Sequence, residues 1–448
     1  MMKTKLTMAF VFVSGLVFAQ DENTTKSSFN LKEAQSFAIE NNYKNKKAML
    51  DIDIAKKKVW ETTAAGLPQV SANAKLQKFL DIPVSLAPAN SFNPAAPADE
   101  LTELQFGLDW SNSVGITASQ LLFDGSYIVG LQAAKTYKNL SISNQVKTEI
   151  ELNEGVKQAY FTVLVAEENT AVLKKSKEVV DATLNETSAL YSEGLVDEQS
   201  VDQLKLTVNE LATAVGVAEG QIDFARKLLK LQMGMDIANT ITLTEGLAVF
   251  VGEVQAVPVE QAFKVENHVD YNLIETNMRL QQLNLRKEKY SFLPSINLFL
   301  NHEQQNMNNK FDAFSGGKWY PMTVVGAQLS LPILTSGSRL SKMSQAKIEY
   351  QKSEIEAKEV EQNLLYQTQV AFSNYETNYE TYLNQKANMA LAKKIYDKTL
   401  LRYKEGVASS LDLSQTQNQF LTSEGNYIKA LLDLLTSKSE LQKSYGSK

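Results

Sequence analysis

The chain has 448 residues, 45 Lys and Arg against 51 Asp and Glu, and no cysteine. A formal charge of −6 gives no electrostatic case for a nucleic-acid partner. The absence of thiols excludes disulfides, thiolate metal sites and an acylated-cysteine anchor.

The first 19 residues carry Lys3 and Lys5, an apolar run from Leu6 to Phe18, and the stop Val17-Phe18-Ala19. That pattern predicts a cleavable export signal over 1–19, because the apolar run is shorter than the ~20 residues of a spanning helix. Cleavage near Ala19 or Gln20 leaves about 429 residues with a formal charge of about −8. No later window holds 18 continuous apolar residues, so no transmembrane helix is expected, while a β-barrel stays open.

Asn30 can cap a helix from about 31 to 66, closed by Gly66 and Pro68. Period-two alternation then marks a strand at about 69–80 (Val70, Ala72, Ala74, Leu76) and another at about 112–124 (Val114, Ile116, Ala118). Between them, Asp81 to Ser111 reads as a loop with prolines at 83, 88, 94 and 97. Proline-free stretches rich in Lys, Glu, Gln, Ala and Leu predict helices at about 126–191 and 197–233. From 235 to 257, Ile241, Leu243, Leu247, Val249 and Val251 read as a connector with short strand character. The series then repeats: a helix at about 258–292, strands at about 294–301 (Ile296, Leu298, Leu300) and 322–334 (Val325, Ala327, Leu329, Leu331, Ile333), and helices at about 338–403 and 409–445. A polar external loop from His302 to Tyr320 joins the second pair of strands.

The repetition is metric. Gly125, Ser126, Tyr191, Glu193, Gly194, Gln203 and Gly234 recur as Gly337, Ser338, Tyr403, Glu405, Gly406, Gln415 and Gly446, each 212 positions on. The first repeat is thus 20–234 and the second 258–448, one architecture written twice. Two helices of some 65 residues make rods of about 100 Å, which need lateral partners. The return arms supply them in sevens: Val201, Val208, Val215, Ile222 and Leu229, matched by Leu413, Phe420, Tyr427, Leu434 and Leu441. Tyr375, Tyr382, Met389, Tyr396 and Tyr403 add a third row, and sustained sevens impose a left-handed supercoil.

The four alternating stretches are long enough to cross a bilayer when tilted, apolar side to lipid and polar side to lumen. Trp110, Trp319 and Tyr320 at the loop ends suit the membrane interface. Four strands cannot close a barrel, and an open edge in lipid leaves unpaired backbone groups at several kcal/mol each. The wall must therefore be completed by identical copies, and three copies with twelve strands leave a lumen where two would not. An exported coiled-coil bundle of structural or adhesive role, without a pore, accounts for the heptads but not for the strands. Nothing is arranged as catalytic, cofactor or metal chemistry: there are two histidines, His268 and His302, no Gly-Lys phosphate loop and no nucleophile set beside a base.

Leu67-Pro68 and Leu293-Pro294 entering strands, Gln120-Leu121-Leu122-Phe123-Asp124-Gly125 ending one, and the turns Tyr191-Ser192-Glu193-Gly194-Leu195 and Tyr403-Lys404-Glu405-Gly406-Val407 occur in this order across the mature chain. In these motifs the chain resembles the TolC family of outer-membrane efflux ducts. The resemblance implies a mainly α fold: a homotrimer whose twelve-stranded outer-membrane barrel continues into a periplasmic α-helical barrel. It further implies a periplasmic adaptor and an inner-membrane pump as partners, in efflux or type I secretion. Adaptor docking and opening would fall at Glu193, Gly194, Leu195, Glu405, Gly406 and Val407. Acidic rings at the entrance of such ducts correspond to Asp412 and Gln415, with Ser200 and Gln203 as first-repeat counterparts. Only Asp412 is acidic here, Glu193 and Glu405 replace the family's frequent valine, and Ala408 stands where some members carry a base.

Overall fold

The structure is a computed structural model that describes residues 27–95, 97, 99, 101–252, 263–311 and 317–446. The expected signal at 1–19 and residues 258–262 of the helix expected from 258 lie outside the described residues, whereas 263–268 are described and not α-helical, so that helix starts only at Val269, after a 3-10 turn at Val265–Asn267.

A short strand, β1 (Ser28–Phe29), leads to α1 (Leu31–Asn41), whose N-cap Asn30 forms a capping box with Glu33. The single helix expected to 66 is broken. Asn42 adopts ψ 135, ends α1 and starts α2 (Tyr43–Ala64) by accepting from the Lys44 amide at 2.7 Å. Its Nδ2 donates to the Gln232 carbonyl at 2.7 Å, so the break is a joint between distant segments.

Then come β2 (Gln69–Lys78), β3 (Val84–Pro88), β4 (Leu101–Gln105) and β5 (Trp110–Phe123). The loop expected at 81–111 thus contains an antiparallel hairpin of β3 on β4, and Trp110 already belongs to the following strand. The first long hairpin is α3 (Gly125–Ser192, 68 residues) and α4 (Glu198–Met233). The connector holds β6 (Thr242–Leu243), parallel to β1, and α5 (Leu247–Gly252). Its Leu247 to Val251 portion is therefore helical, with Leu247 and Phe250 buried. Carboxylate Oε2 of Glu245 accepts from the Leu31 amide at 2.9 Å and ties the connector to the start of α1.

The second repeat gives α6 (Val269–Tyr290), β7 (Ser295–Asn308), β8 (Tyr320–Ser330), α7 (Ser338–Lys404, 67 residues) and α8 (Ser410–Ser444). Strand β7 runs seven residues past the expected end at 301, because its polar outer half pairs with β5 up to Asn308↔Trp110. His302 and Glu303 therefore lie in a strand, not in an external loop. His268 caps α6 as Asn42 caps α2, its Nδ1 accepting from the Asp270 amide at 3.2 Å, and both helices have 22 residues.

The four long strands form one antiparallel sheet in the order β2-β5-β7-β8. The helices that flow into it follow the same order, since α2 packs on α3, α3 on α6 and α6 on α7. Farther from the sheet the α3–α4 and α7–α8 hairpins join through α8, which touches both α3 and α4. One core, midway along the rods, gathers Phe29, Val156, Tyr160, Leu229, Leu431 and Leu434; a second, toward the turns, gathers Val180, Leu204, Leu211, Tyr396, Leu413 and Phe420. The tyrosine row meets the return arm directly: Tyr396 stacks on Phe420 with centroids 5.7 Å apart and Tyr382 lies 5.8 Å from Tyr427. Val215 and Ile222 are only half-buried, and Leu204, Leu211, Ala218 and Ala225, offset by three, supply the complementary heptad row.

Candidate functional site

The two turns that join the long helices are built identically. At the first, the Leu195 amide donates to the Leu190 carbonyl and the Gly194 amide to the Tyr191 carbonyl, each at 2.9 Å. At the second, Val407 donates to Arg402 at 2.8 Å and Gly406 to Tyr403 at 2.9 Å. This is the paired bonding of a Schellman ending, which requires a left-handed residue, and both glycines have φ 73. The closure turns the C″ residues outward: Leu195 is 70% and Val407 63% exposed, and Glu193, Gly194, Glu405 and Gly406 are exposed beside them. The six turn residues thus form two matching exposed knuckles at one end of the molecule.

Each return helix starts with a cap, and the repeats exchange acid for serine. In the first repeat Asp197 is the N-cap and accepts from the Ser200 amide at 2.9 Å. In the second, Ser409 is the N-cap and accepts from the Asp412 amide at 3.1 Å, while Asp412 accepts from the Ser409 amide at 3.1 Å and its hydroxyl at 2.7 Å. These hydrogen bonds, from Ser200 and Ser409 respectively, hold both carboxyls below the ordinary aspartate value. Asp412 is therefore a capping-box acid as well as an exposed charge.

Ser200 and Gln203 are brought together where the hairpins meet. The buried Ser410 hydroxyl donates to Gln203 Oε1 at 3.0 Å and to Ser200 Oγ at 3.4 Å. One turn further on, the hydroxyls of Thr207 and Ser414 lie 3.1 Å apart. Gln415 stays exposed and apart from this seam. The sequence reading missed Ser410 and Asp197; the 212-residue offset was the available signal, since it aligns Asp197 with Ser409 and Ser200 with Asp412.

At the opposite end, the register sorts the sheet into two faces. Val70, Ala118, Leu300 and Val325 form one row across all four strands, and Val70 and Val325 are each more than 70% exposed. The other face carries rows such as Ser71, Thr117, Asn301, Val324 and Asn73, Gly115, Glu303, Met322. The apolar face is not uniform, since His302 sits on it with Nδ1 2.8 Å from Thr323 Oγ1. At the loop ends, Trp110 packs on Phe311 at 4.8 Å with Lys78 over its ring, Lys318 lies over Tyr320, and Trp319 is exposed. Among the described residues no helix is long and apolar enough to cross a membrane, and no cluster of His, Asp and Glu could hold a metal ion.

The comparisons with known proteins agree with this architecture. Residues 271–447 match the outer membrane efflux protein family. The outer membrane protein TolC of Vibrio cholerae is 21% identical over 340 residues, covering 75% of this chain and 76% of that protein. Among solved structures, CusC aligns with TM-score 0.73 at 16% identity, over 94% of this chain and 92% of that one. The Campylobacter jejuni CmeC outer membrane channel aligns with TM-score 0.71 at 17% identity, over 99% and 94%. The open-state MtrE outer membrane channel of Neisseria gonorrhoeae aligns with TM-score 0.72 at 19% identity, over 93% and 89%. At these identities the structures establish the fold alone. Residues 271–447 are thus similar to the outer membrane efflux protein family, and three quarters of the chain is similar to an outer membrane TolC.

Proposed function

We propose that three copies of the chain close into a passive exit duct, with a twelve-stranded barrel in the outer membrane continued by a helical barrel across the periplasm. An inner-membrane pump supplies the energy and a periplasmic adaptor docks at the knuckles around Gly194 and Gly406. The observation that carries this reading is the pair of free edges. The sheet ends on β2 and β8, and the helical layer beneath it ends on α2 and α7. Those edge helices expose apolar side chains to no neighbour: Leu50 and Ile54 on α2 are more than 60% exposed, and Ile348 and Ile355 on α7 more than 55%. Farther down, α4 exposes Val217, Phe224, Leu228 and Leu231 at spacings of seven, four and three. A lone protomer would leave two sheet edges unpaired in lipid, and each orphaned backbone group costs several kcal/mol there. Identical neighbours satisfy the strand edges and the helical stripes together.

In this ring Asp412 recurs three times around the entrance and makes a cation-selective constriction, with Gln415, Ser200 and Gln203 nearby. Asp412→Asn removes the charge and keeps a polar capping group. In planar bilayers the purified protein conducts, and the substitution lowers its preference for cations. An unchanged ion preference takes Asp412 out of the pore, and a protein that forms no conducting pore at all rejects the duct.

A further inference from the structure

The charges of this chain are distributed unequally across its sheet. At the loop side of the sheet, residues 79–109 hold five acids and no Lys or Arg, and 309–319 hold two Lys and one Asp. At the helix side, 55–66, 280–294 and 335–346 together hold eight Lys or Arg against Glu61 and Glu288, within an otherwise acidic protein. Lys56 and Lys58 are neutralised by Asp53 and Glu61, at 2.9 and 3.0 Å. Lys57, Lys289 and Lys342 are exposed and have no ion-pair partner among the described residues. Each lies within about three helical turns of a strand end, on α2, α6 and α7 respectively. Two further acids lie at this level: Glu288, half-buried on α6, and Asp124, which caps α3 by accepting from the Tyr127 amide at 2.9 Å.

A second, independent feature lies at the same level. Trp60 in the last turns of α2 is 62% exposed, and Ile333 and Leu334, just past β8, are 91% and 86% exposed. Trp60 stands three residues after Lys57, so the indole and the ammonium share a face of α2. Exposed indole and aliphatic groups bordered by unpaired cations are what a bilayer's headgroup region accommodates, ring and chain toward the acyl region and ammonium toward phosphate.

We propose that this ledge is a binding site for anionic phospholipid headgroups of the periplasmic leaflet, with Trp60, Ile333 and Leu334 seated at the acyl boundary and Lys57, Lys289 and Lys342 on the phosphates. The proposal rests on the duct reading, which puts the helix side of the sheet at that leaflet. Charge complementarity selects the occupant: the acidic loop side would repel the same lipid.

The test uses the full chain with Trp110→Phe and Trp319→Phe, which leaves Trp60 as the single indole of a protein that has three. It is reconstituted into vesicles containing brominated phosphatidylglycerol or brominated phosphatidylcholine at equal mole fraction. Trp60 is quenched by both, and roughly five-fold more effectively by the anionic lipid, the equivalent of one cation near a charged surface. The preference falls in high salt, survives added free glycerol phosphate at low concentration, and is lost in Lys57→Gln/Lys289→Gln/Lys342→Gln. Equal quenching by the two lipids, or a preference that the triple variant keeps, overturns the site while leaving the duct intact. No quenching by either lipid in a protein that conducts ions overturns the ledge, and a protein that inserts in neither vesicle overturns the duct reading with it. Lipids retained by the wild-type and triple-variant proteins after detergent extraction, read by native mass spectrometry, give the same comparison without the tryptophan substitutions.

Discussion

Phe224 is the sharpest probe of whether the exposed stripes are seams between copies. It is 72% exposed in the protomer, whereas Leu229, five residues on in the same helix, is fully buried. Burying a Phe side chain contributes about 1.5–3 kcal/mol, so covering the exposed part of Phe224 contributes about 1–2 kcal/mol per seam. A ring of three seams then loses roughly 3–6 kcal/mol in Phe224→Ala, on the order of 10²- to 10⁴-fold in the assembly constant. The folding of the protomer changes little, because a substitution at an exposed position stays within about 0.5 kcal/mol. Leu229→Ala does the reverse and removes about 2–5 kcal/mol from the protomer itself. Mass photometry over a dilution series in detergent reads assembly, and thermal unfolding by circular dichroism reads the fold. If Phe224→Ala lowers the unfolding temperature as far as Leu229→Ala and leaves the assembly constant unchanged, the stripe is not a seam and the edge argument fails.

Three further outcomes follow from particular side chains. Gln417 is 1% exposed in α8 and neither of its amide atoms has a hydrogen-bond partner, a state that costs about 1–3 kcal/mol. Gln417→Leu therefore raises the unfolding temperature, and a drop shows that the amide is satisfied in the assembled protein. His268 has its pKa lowered from 6.5 by burial, which outweighs the opposing pull of Asp270, and Lys147 and Lys443 push in the same direction as burial. The unfolded chain then binds a proton that the native imidazole does not, so stability is full above about pH 6.5 and is lost as pH falls below it. His268→Asn, which copies the cap made by Asn42, flattens the stability profile below about pH 6.5; an unchanged slope removes His268 as its source. Gly194→Val and Gly406→Val force a β-branched residue to φ 73 and each cost at least about 1–2 kcal/mol, measured as a lower unfolding temperature. Equal stability would mean that the turns can re-form without the left-handed residue.

Most of the helical framework was legible because it depends on short-range rules. Proline-free stretches and the turn glycines fix α3, α4, α7 and α8 to within about two residues, since a Schellman ending needs a left-handed residue at one position and nowhere nearby. Asn42 was illegible as a break because the pattern around it is helical, and its decisive bond, to the Gln232 carbonyl, is 190 residues away. The outer half of β7 was missed for a related reason: His302, Gln304 and Asn306 share the face of Leu300, and their strand character comes from pairing with β5 rather than from alternation. Prolines 83 and 88 concealed the β3–β4 hairpin, in which Pro88 occupies a strand end that tolerates it. The pairing of β5 with β7, which welds the repeats into one sheet, leaves no local trace.

At the tip, the exposed knuckles were visible from the repeat, but the seam through Ser410 was not. A serine reads as a cap or a surface residue until the partner hairpin is in place. Asp412 shows the limit from the other side. Its place in the first helical turn was legible, and its capping box with Ser409 depends on a cap that the first repeat makes with an acid instead.

Closure of the free strand edges by identical copies is the premise of the duct. Electron microscopy of the purified protein in lipid nanodiscs tests this directly. A closed duct gives a three-fold particle about 100 Å or more in length with a continuous central lumen. A single protomer sitting stably in the bilayer with β2 and β8 unpaired, or a particle with no axial hole, contradicts it.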